Sequence, residues 1–146
     1  MCKIFEGIIK FPQGSVLASI LFIIYTADRA RVVKRYNVTF KAFADDMKLY
    51  SIINNADSIG NIQLAIDDVL DWSSQWQLPI SNTKCYLMDV GPPRKIGEFQ
   101  PNSLAGVDLG LVDTARDLGI YIDSNMSFSS HIMEIVARAK RSLPTL

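Results

Sequence analysis

The adjacent aspartates Asp45 and Asp46 are the residues of this sequence whose types and spacing best fit a chemical role. They lie in the stretch KAFADDMKLY, between two segments rich in strand-forming residues. Neighbouring carboxylates raise each other's pKa unless a cation neutralises them. Oxygen ligands of this kind favour Mg²⁺ or Mn²⁺ over zinc, and such ions can serve phosphoryl transfer. The alternative is a solvated turn, since Asp is a common turn residue.

Other side chains with chemical potential give weaker signals. His131 follows SFSS at a helix start and has no second His or Cys at ligand spacing, so a surface or capping role is expected. Cys2 and Cys85 lie far apart, which argues against a disulfide framework and favours an intracellular, reducing compartment. The sequence contains no GxxxxGK[ST] or GxGxxG phosphate loop and no GxSxG nucleophile turn.

Composition indicates a globular domain and leaves its partners to be inferred from local patches. Of the 146 residues, 49% are apolar, and 15 basic side chains balance 15 acidic ones. A net charge of zero gives no global argument for a nucleic-acid partner. One basic cluster could meet phosphates, but its interleaved apolar residues fit a partly buried helix or strand edge equally well. The cluster consists of Arg29, Arg31, Lys34 and Arg35.

The most apolar run of the chain extends from Ser15 to Tyr25. It is shorter than the ~20 residues that span a bilayer, so a buried helix is expected and no membrane partner. The N-terminal residues lack the pattern of a signal peptide. FPQGS indicates a loop, with Ser15 as the N-cap of a helix from Val16 to about Arg29. Because this helix is apolar nearly all round, we expect it to be buried on most sides.

Two strand-like segments, YNVTFKAFA and MKLYSII, flank the aspartates and predict a β-hairpin. The pattern leaves only Asp45 and Asp46 as the connection between the strands. Asp-Asp is not a preferred pair for a two-residue hairpin turn, where Asn-Gly or Asp-Gly is usual. We therefore infer that these two residues were selected for more than turn geometry.

A long helix over residues 57–76 is predicted next, capped by Asp57 or Ser58 and ended by Pro79. Its apolar residues follow helical spacing, and they include a tryptophan expected to pack in the core. This face consists of Ile59, Ile62, Ile66, Val69 and Trp76. An acidic run on a helix is usually a solvated surface, and we assign Asp67, Asp68 and Asp71 to one.

The remainder of the chain alternates short β elements with one final helix. KCYLMDVG predicts a strand, and residues 97–123 predict short β pieces broken by turn residues. Ser127 or Ser130 begins a last amphipathic helix. This order of elements predicts an α+β fold in which helices pack on one face of an antiparallel sheet.

Four segments occur in one order along the chain: FPQGSVLASILFIIY, FKAFADDMKLY, LDWSSQWQLPISNTKCYLMDVG and RDLGIYIDSNMSFSSHI. Together they resemble the reverse transcriptase domain of non-long-terminal-repeat (non-LTR), LINE-like retrotransposons of the jockey or CR1 kind. The resemblance runs from about Gly7 to the C-terminus. An Asp-Asp pair alone is a weak motif, whereas this ordered set with fitting spacings is specific.

The resemblance implies a metal site and a general acid. Asp45 and Asp46 match the motif C aspartates that bind Mg²⁺ or Mn²⁺, with Asp45 as the principal ligand. Phe43 holds the aromatic position of that motif. Lys84, in LPISNTKC, matches the motif D lysine near the nucleotide phosphates and is a candidate proton donor to pyrophosphate.

The resemblance also implies nucleic-acid contacts. Leu118 and Gly119 match the element that leads to the primer-holding region. The motif B loop lies under the template and the incoming nucleotide in this family. Its matching residues are Pro12, Gln13, Gly14 and Ser15.

The fold implied by the resemblance is part of a polymerase palm. Residues 1–95 would carry motifs B, C and D, residues 96–126 the small β elements, and residues 127–146 the start of the thumb helix. Ala18 and Ser19 replace the Gly-Pro that usually follows PQGSVL, and the lead-in to PQGS is altered. No segment resembles motif A, whose aspartate completes the catalytic set. A missing motif A strand would leave an apolar strand edge open beside the hairpin.

Three functional interpretations follow. The first is a reverse transcriptase piece that binds RNA template, DNA primer and deoxynucleoside triphosphates, and that is inactive without the N-terminal fingers and palm of its parent. The second is a decayed fragment with no enzymatic role. The third is a weak nucleic-acid-binding module that uses Lys34, Arg35, Lys84 and the basic C-terminal helix.

Overall fold

The computed structural model describes residues 2–8, 16–91 and 102–142. The main antiparallel sheet contains β1 (Cys2–Ile8), β2 (Thr39–Phe43), β3 (Asp46–Ile52) and β4 (Tyr86–Val90). Its strand order is β2-β3-β1-β4. Two small hairpins pair β5 (Ser103–Leu104) with β6 (Val107–Asp108) and β7 (Thr114–Asp117) with β8 (Ile120–Asp123). The helices are α1 (Val16–Tyr25), α2 (Arg29–Val32), α3 (Ala56–Gln75) and α4 (Ser129–Ser142). The α+β class is confirmed.

Helix α3 lies against the sheet and supplies much of the core. Ile62 and Ile66 are fully buried and belong to the same core cluster as Met47 and Leu49 of β3. The predicted apolar face is therefore confirmed, and the helix ends before Pro79. The N-cap is Asn55, whose side chain accepts a hydrogen bond from the Ser58 backbone N–H at 2.9 Å. The prediction of Asp57 or Ser58 as the cap is wrong by two or three positions.

The acidic side of α3 is only partly a solvated surface. Asp67 and Asp71 are exposed as predicted. Asp68 is half-buried instead, and its Oδ2 accepts hydrogen bonds of 2.6 Å from both the Arg35 guanidinium and the Tyr36 hydroxyl. The 3₁₀ turn that carries these two partners, Lys34–Tyr36, packs on α3 and supplies the donors.

Helix α1 is shorter and more exposed than its sequence predicts. It ends at Tyr25 rather than near Arg29, and a turn separates it from α2. Phe22 is buried, and Tyr25 packs edge-on against Trp76 with ring centroids 4.7 Å apart. Five other apolar side chains of α1, among those that the structure describes, are half-exposed or more, because no described residues lie over them. They are Leu17, Ile20, Leu21, Ile23 and Ile24.

The prediction of an open strand edge beside the aspartates is wrong. β1 pairs with β3 along its whole length, from Cys2 opposite Ile52 to Ile8 opposite Asp46. Its other edge pairs with β4. The backbone N–H and C=O groups of β3 therefore find partners on both sides, as buried peptide groups require.

Helix α4 begins within two residues of its predicted start. The Tyr121 backbone N–H donates to His131 Nδ1 at 3.4 Å, which links α4 to β8. The apolar side of α4 is exposed throughout the described residues. Along the described ranges, no helix combines the length and the hydropathy needed to cross a bilayer.

Candidate active site

The aspartates lie at the tip of the hairpin formed by β2 and β3. Phe43 pairs with Asp46, so the two-residue connection is Ala44 and Asp45. The prediction that Asp45 and Asp46 together form the connection is wrong by one residue, because Asp46 already belongs to β3. Ala44 has a φ of 50°, a left-handed conformation that is uncommon for a residue with a Cβ. Hairpin turns with positive φ at this position usually place Gly there.

The side chains of β3 point alternately to the two faces of the sheet. Met47 and Leu49 point into the core and are 1% exposed. Asp46, Lys48 and Tyr50 alternate with them and therefore point to the opposite face of the sheet. Asp46 thus begins a polar row along the sheet face opposite the core cluster that contains Met47 and Leu49.

The electrostatic environment of Asp46 disfavours its charge. Burial raises the pKa of Asp46, and the neighbouring Asp45 carboxylate raises it further. The charges of Lys48 and Lys84 act in the opposite direction. A bound cation would relieve the repulsion between the two aspartates.

The turn between β7 and β8 closes over the polar face of the hairpin. Leu118 and Gly119 form this turn with φ values of 46° and 93°, the sign that a tight turn of this type requires at both positions. Asp117, just before the turn, forms an ion pair with Lys48. Between the two hairpins lies an open cavity of about 220 Å³. Its walls include Phe43, Asp46, Lys48, Asp117 and Leu118.

The residues named from the sequence are only partly brought together. Leu118 shares the cavity with Phe43 and Asp46. Lys84 is exposed at the end of a 3₁₀ turn, Asn82–Lys84, and its charge acts on Asp46. The motif B residues Pro12, Gln13, Gly14 and Ser15 lie outside the described residues.

The donor chemistry of the hairpin tip fits a hard divalent cation. Asp45 and Asp46 offer carboxylate oxygens, which Mg²⁺ and Mn²⁺ accept, and Mg²⁺ is commonly held by one or two carboxylates together with substrate phosphates. Within the described ranges, no three His, Cys, Asp or Glu side chains are grouped so that they could hold a metal ion. Asp45 and Asp46 alone could therefore supply only part of the ligands that such an ion needs.

Lys48 and Arg29 make contacts in this region that the sequence did not predict. Lys48 interrupts an apolar strand segment, MKLY, and that interruption was a signal of a buried partner. Arg29 was assigned only to a basic cluster, yet both of its terminal nitrogens donate to the Ala44 carbonyl oxygen. Neither contact is local, because the partners lie 69 and 15 residues away in sequence.

Comparison with known proteins supplies the family. The model of the reverse transcriptase (RNA-dependent DNA polymerase) family matches residues 8–137. The chain is 29% identical over 141 residues to a probable RNA-directed DNA polymerase from transposon X-element of Drosophila melanogaster, covering 88% of this chain and 14% of that protein. It is 27% identical over 133 residues to the RNA-directed DNA polymerase from mobile element jockey of the same organism, covering 85% of this chain and 14% of that protein.

These matches cover most of this chain but only a small part of each relative. The chain spans about one seventh of the length of the curated relatives it matches. No solved structure matches it significantly. Because the family model covers most of the chain and the relatives are polymerases of mobile elements, the resemblance to non-LTR, LINE-like enzymes is confirmed, and the chain belongs to the reverse transcriptase (RNA-dependent DNA polymerase) family.

Proposed function

We propose that this chain is a palm segment of an RNA-directed DNA polymerase of a LINE-like retrotransposon, the enzyme class that adds deoxynucleotides to a primer 3′ end on an RNA template. The observation that carries the proposal is the placement of Asp45 and Asp46 at a hairpin tip beside an open cavity, in a chain that matches the family over residues 8–137. Residues 1–95 would carry the palm motifs, residues 96–126 the small β elements, and residues 127–146 the start of the thumb.

Asp45 and Asp46 would hold Mg²⁺ or Mn²⁺, with Asp45 as the principal ligand. When bound in pairs, such ions stabilise the attacking and leaving oxygens of phosphoryl transfer. Lys84 would donate a proton to the leaving pyrophosphate, consistent with its exposure and with its influence on the charge of Asp46. Divalent cations would also remove the electrostatic penalty on Asp46, since its pKa is raised by burial and by Asp45.

The nucleic-acid partners would occupy the open side of the hairpin. Phe43 is 65% exposed and offers a ring for contact with the template or the incoming nucleotide. Leu118 and Gly119 would face the primer, because their turn closes the same cavity. By the family resemblance, the motif B residues Pro12, Gln13, Gly14 and Ser15 would also contact the template and the incoming nucleotide.

The proposed polymerase needs a further carboxylate. Two-metal phosphoryl transfer commonly uses bridging ligands from more than one strand. No segment of the sequence resembles the motif A that supplies the partner aspartate in this family. We therefore expect no polymerase activity from this chain alone, and activity only with a complementing fingers and palm segment.

Metal binding tests the site without requiring catalysis. Bound Mn²⁺ broadens the NMR signals of nearby amides, so titration of the wild-type chain should broaden residues 43–48 first. Asp45→Asn should abolish this selectivity, whereas Asp71→Asn on the exposed side of α3 should not change it. Uniform broadening across the chain would exclude a metal site at the hairpin.

Complementation tests the reaction itself. The chain is mixed with the N-terminal half of a jockey-type polymerase, and extension of a primed RNA template is measured with Mg²⁺. Extension that is lost in Asp45→Asn supports the proposal. Selective Mn²⁺ binding without extension would indicate a decayed copy, and template binding alone would indicate a non-catalytic nucleic-acid-binding module.

A further inference from the structure

Arg29 contacts the turn that carries the aspartates. Its Nη1 and Nη2 both donate to the Ala44 carbonyl oxygen, each at 3.2 Å. Ala44 immediately precedes Asp45 at the hairpin tip. A guanidinium at the start of α2 therefore reaches the backbone of a turn 15 residues away in sequence.

Two aromatic rings lie against the Arg29 guanidinium. The guanidinium carbon lies 5.6 Å from the centre of the Phe22 ring and 5.9 Å from that of Phe40. Both distances are within the range of cation–π attraction. Burial lowers the pKa of Arg29, as expected for a cation withdrawn from water.

No carboxylate forms an ion pair with Arg29 among the residues that the structure describes. A partly buried cation without such a partner needs other acceptors. The Ala44 carbonyl is the acceptor that the structure provides, and the rings of Phe22 and Phe40 lie against the guanidinium.

The turn that receives this contact has an unfavourable backbone conformation. A positive φ at a residue with a Cβ costs free energy, and such conformations persist only where the surroundings hold them. Ala44 has a φ of 50°. A hydrogen bond from a charged donor is stronger than one between neutral groups, so the Arg29 contact stabilises this conformation against relaxation.

We propose that Arg29 is a positioning residue for Asp45 and Asp46, which holds the hairpin tip in the conformation that presents both carboxylates. Its effect on metal binding rests on the proposed function of the hairpin, whereas its effect on the turn does not. The planar fork of Arg suits this task, because Lys offers a point charge on a flexible stem.

Hydrogen exchange measured by mass spectrometry on the full chain tests the proposal. Arg29→Gln should accelerate exchange in the peptide covering residues 43–47 by about tenfold, the scale of one charged hydrogen bond. A peptide within α3, residues 60–70, should change by less than about twofold, since local opening does not require global unfolding. Arg31→Gln, which removes an exposed charge from the same helix, is the matched control and should change neither peptide.

Two further measurements separate positioning from general stabilisation. Arg29→Lys keeps the charge but lacks the fork, so its exchange at residues 43–47 should resemble that of Arg29→Gln more than that of the wild type. The apparent dissociation constant for Mn²⁺ should rise severalfold in Arg29→Gln and stay unchanged in Arg31→Gln.

Each outcome bears on the proposal. Equal acceleration in both peptides would make Arg29 a general stabiliser and overturn it, as would unchanged exchange at residues 43–47. Wild-type exchange rates at residues 43–47 in Arg29→Lys would show that the planar guanidinium is not required, and would overturn that part of the proposal. If the wild-type chain binds no Mn²⁺, the proposed metal site fails, while the exchange comparison still decides whether Arg29 holds the turn.

Discussion

The ammonium group of Lys48 is bound by the carboxylate of Asp117, 69 residues further along the chain. The Lys48 side chain is only 10% exposed, although it lies on the sheet face opposite the core. Asp117 comes from the small hairpin of β7 and β8 and supplies the countercharge that a buried ammonium requires. This contact ties the hairpin that carries Asp45 and Asp46 to the turn of Leu118 and Gly119.

Removing one partner of this pair should destabilise the chain. Asp117→Asn removes the carboxylate that forms the ion pair with Lys48, and we expect a loss of about 3 kcal/mol in the free energy of unfolding. The double variant Lys48→Met with Asp117→Leu should lose less, because two apolar groups need no desolvated charges. Urea denaturation measures both. Glu134→Gln, which breaks an exposed pair with Arg138 on α4, serves as control and should lower the free energy of unfolding much less than Asp117→Asn does. Equal losses from the single and double variants would contradict the pairing argument.

The interface between α3 and the sheet should dominate stability. Ile66→Ala removes a side chain that is fully buried, and we expect a loss of about 3 kcal/mol from transfer and cavity terms together. Leu64→Ala, on the same helix but half-exposed, should cost less than ~1 kcal/mol. Thermal or urea unfolding of the two variants gives the comparison. Similar losses at both positions would show that α3 does not bury the face assigned to it.

The start of α3 depends on the Asn55 side chain. Asn55→Ala removes the acceptor for the Ser58 N–H and should cost about 1 kcal/mol. Asn55→Asp keeps an acceptor at the same place and should retain most of the stability. The midpoints of urea unfolding of the two variants, compared at the same m-value, measure the difference in stability. An Asp variant as unstable as the Ala variant would argue against capping.

The attachment of α4 should depend on pH through Asp123. Burial alone raises the pKa of Asp123, but hydrogen bonds from Ser127, through its backbone N–H at 2.7 Å and its hydroxyl at 2.8 Å, help to hold the pKa below the ordinary value of 3.8. A lowered folded-state pKa stabilises the fold above the unfolded value, and that contribution is lost as the pH falls through the folded value.

Hydrogen exchange of the amides in the first turn of α4 measures how much the Asp123 carboxylate stabilises this attachment. Asp123→Asn should reduce protection of these amides severalfold at pH 6, because the amide accepts more weakly than the carboxylate. The difference between variant and wild type should begin to shrink near about pH 4, the ordinary pKa of an unfolded aspartate, and should vanish as the pH falls through the lower folded-state pKa of Asp123. A difference that is constant across this range would exclude the carboxylate as its cause.

Local patterns in the sequence determined the long helix, the strands of the hairpin and the family of this protein. The three-and-four spacing of Ile59, Ile62 and Ile66 predicted the long helix and its buried side, since helical periodicity alone specifies a face. The two β-rich segments predicted β2 and β3, and the ordered motifs identified the family. These features depend on residues that are close in sequence or on motif spacing.

The tertiary structure decided what depends on distant partners. In the structure, Ala44 and Asp45 form the hairpin turn, β1 pairs with β3, and α1 is largely exposed among the described residues. The fold also joins Lys48 to Asp117 and Arg29 to Ala44. No local pattern encodes such pairs, because a desolvated charge specifies only that it needs a partner, and the fold determines which residue comes within reach.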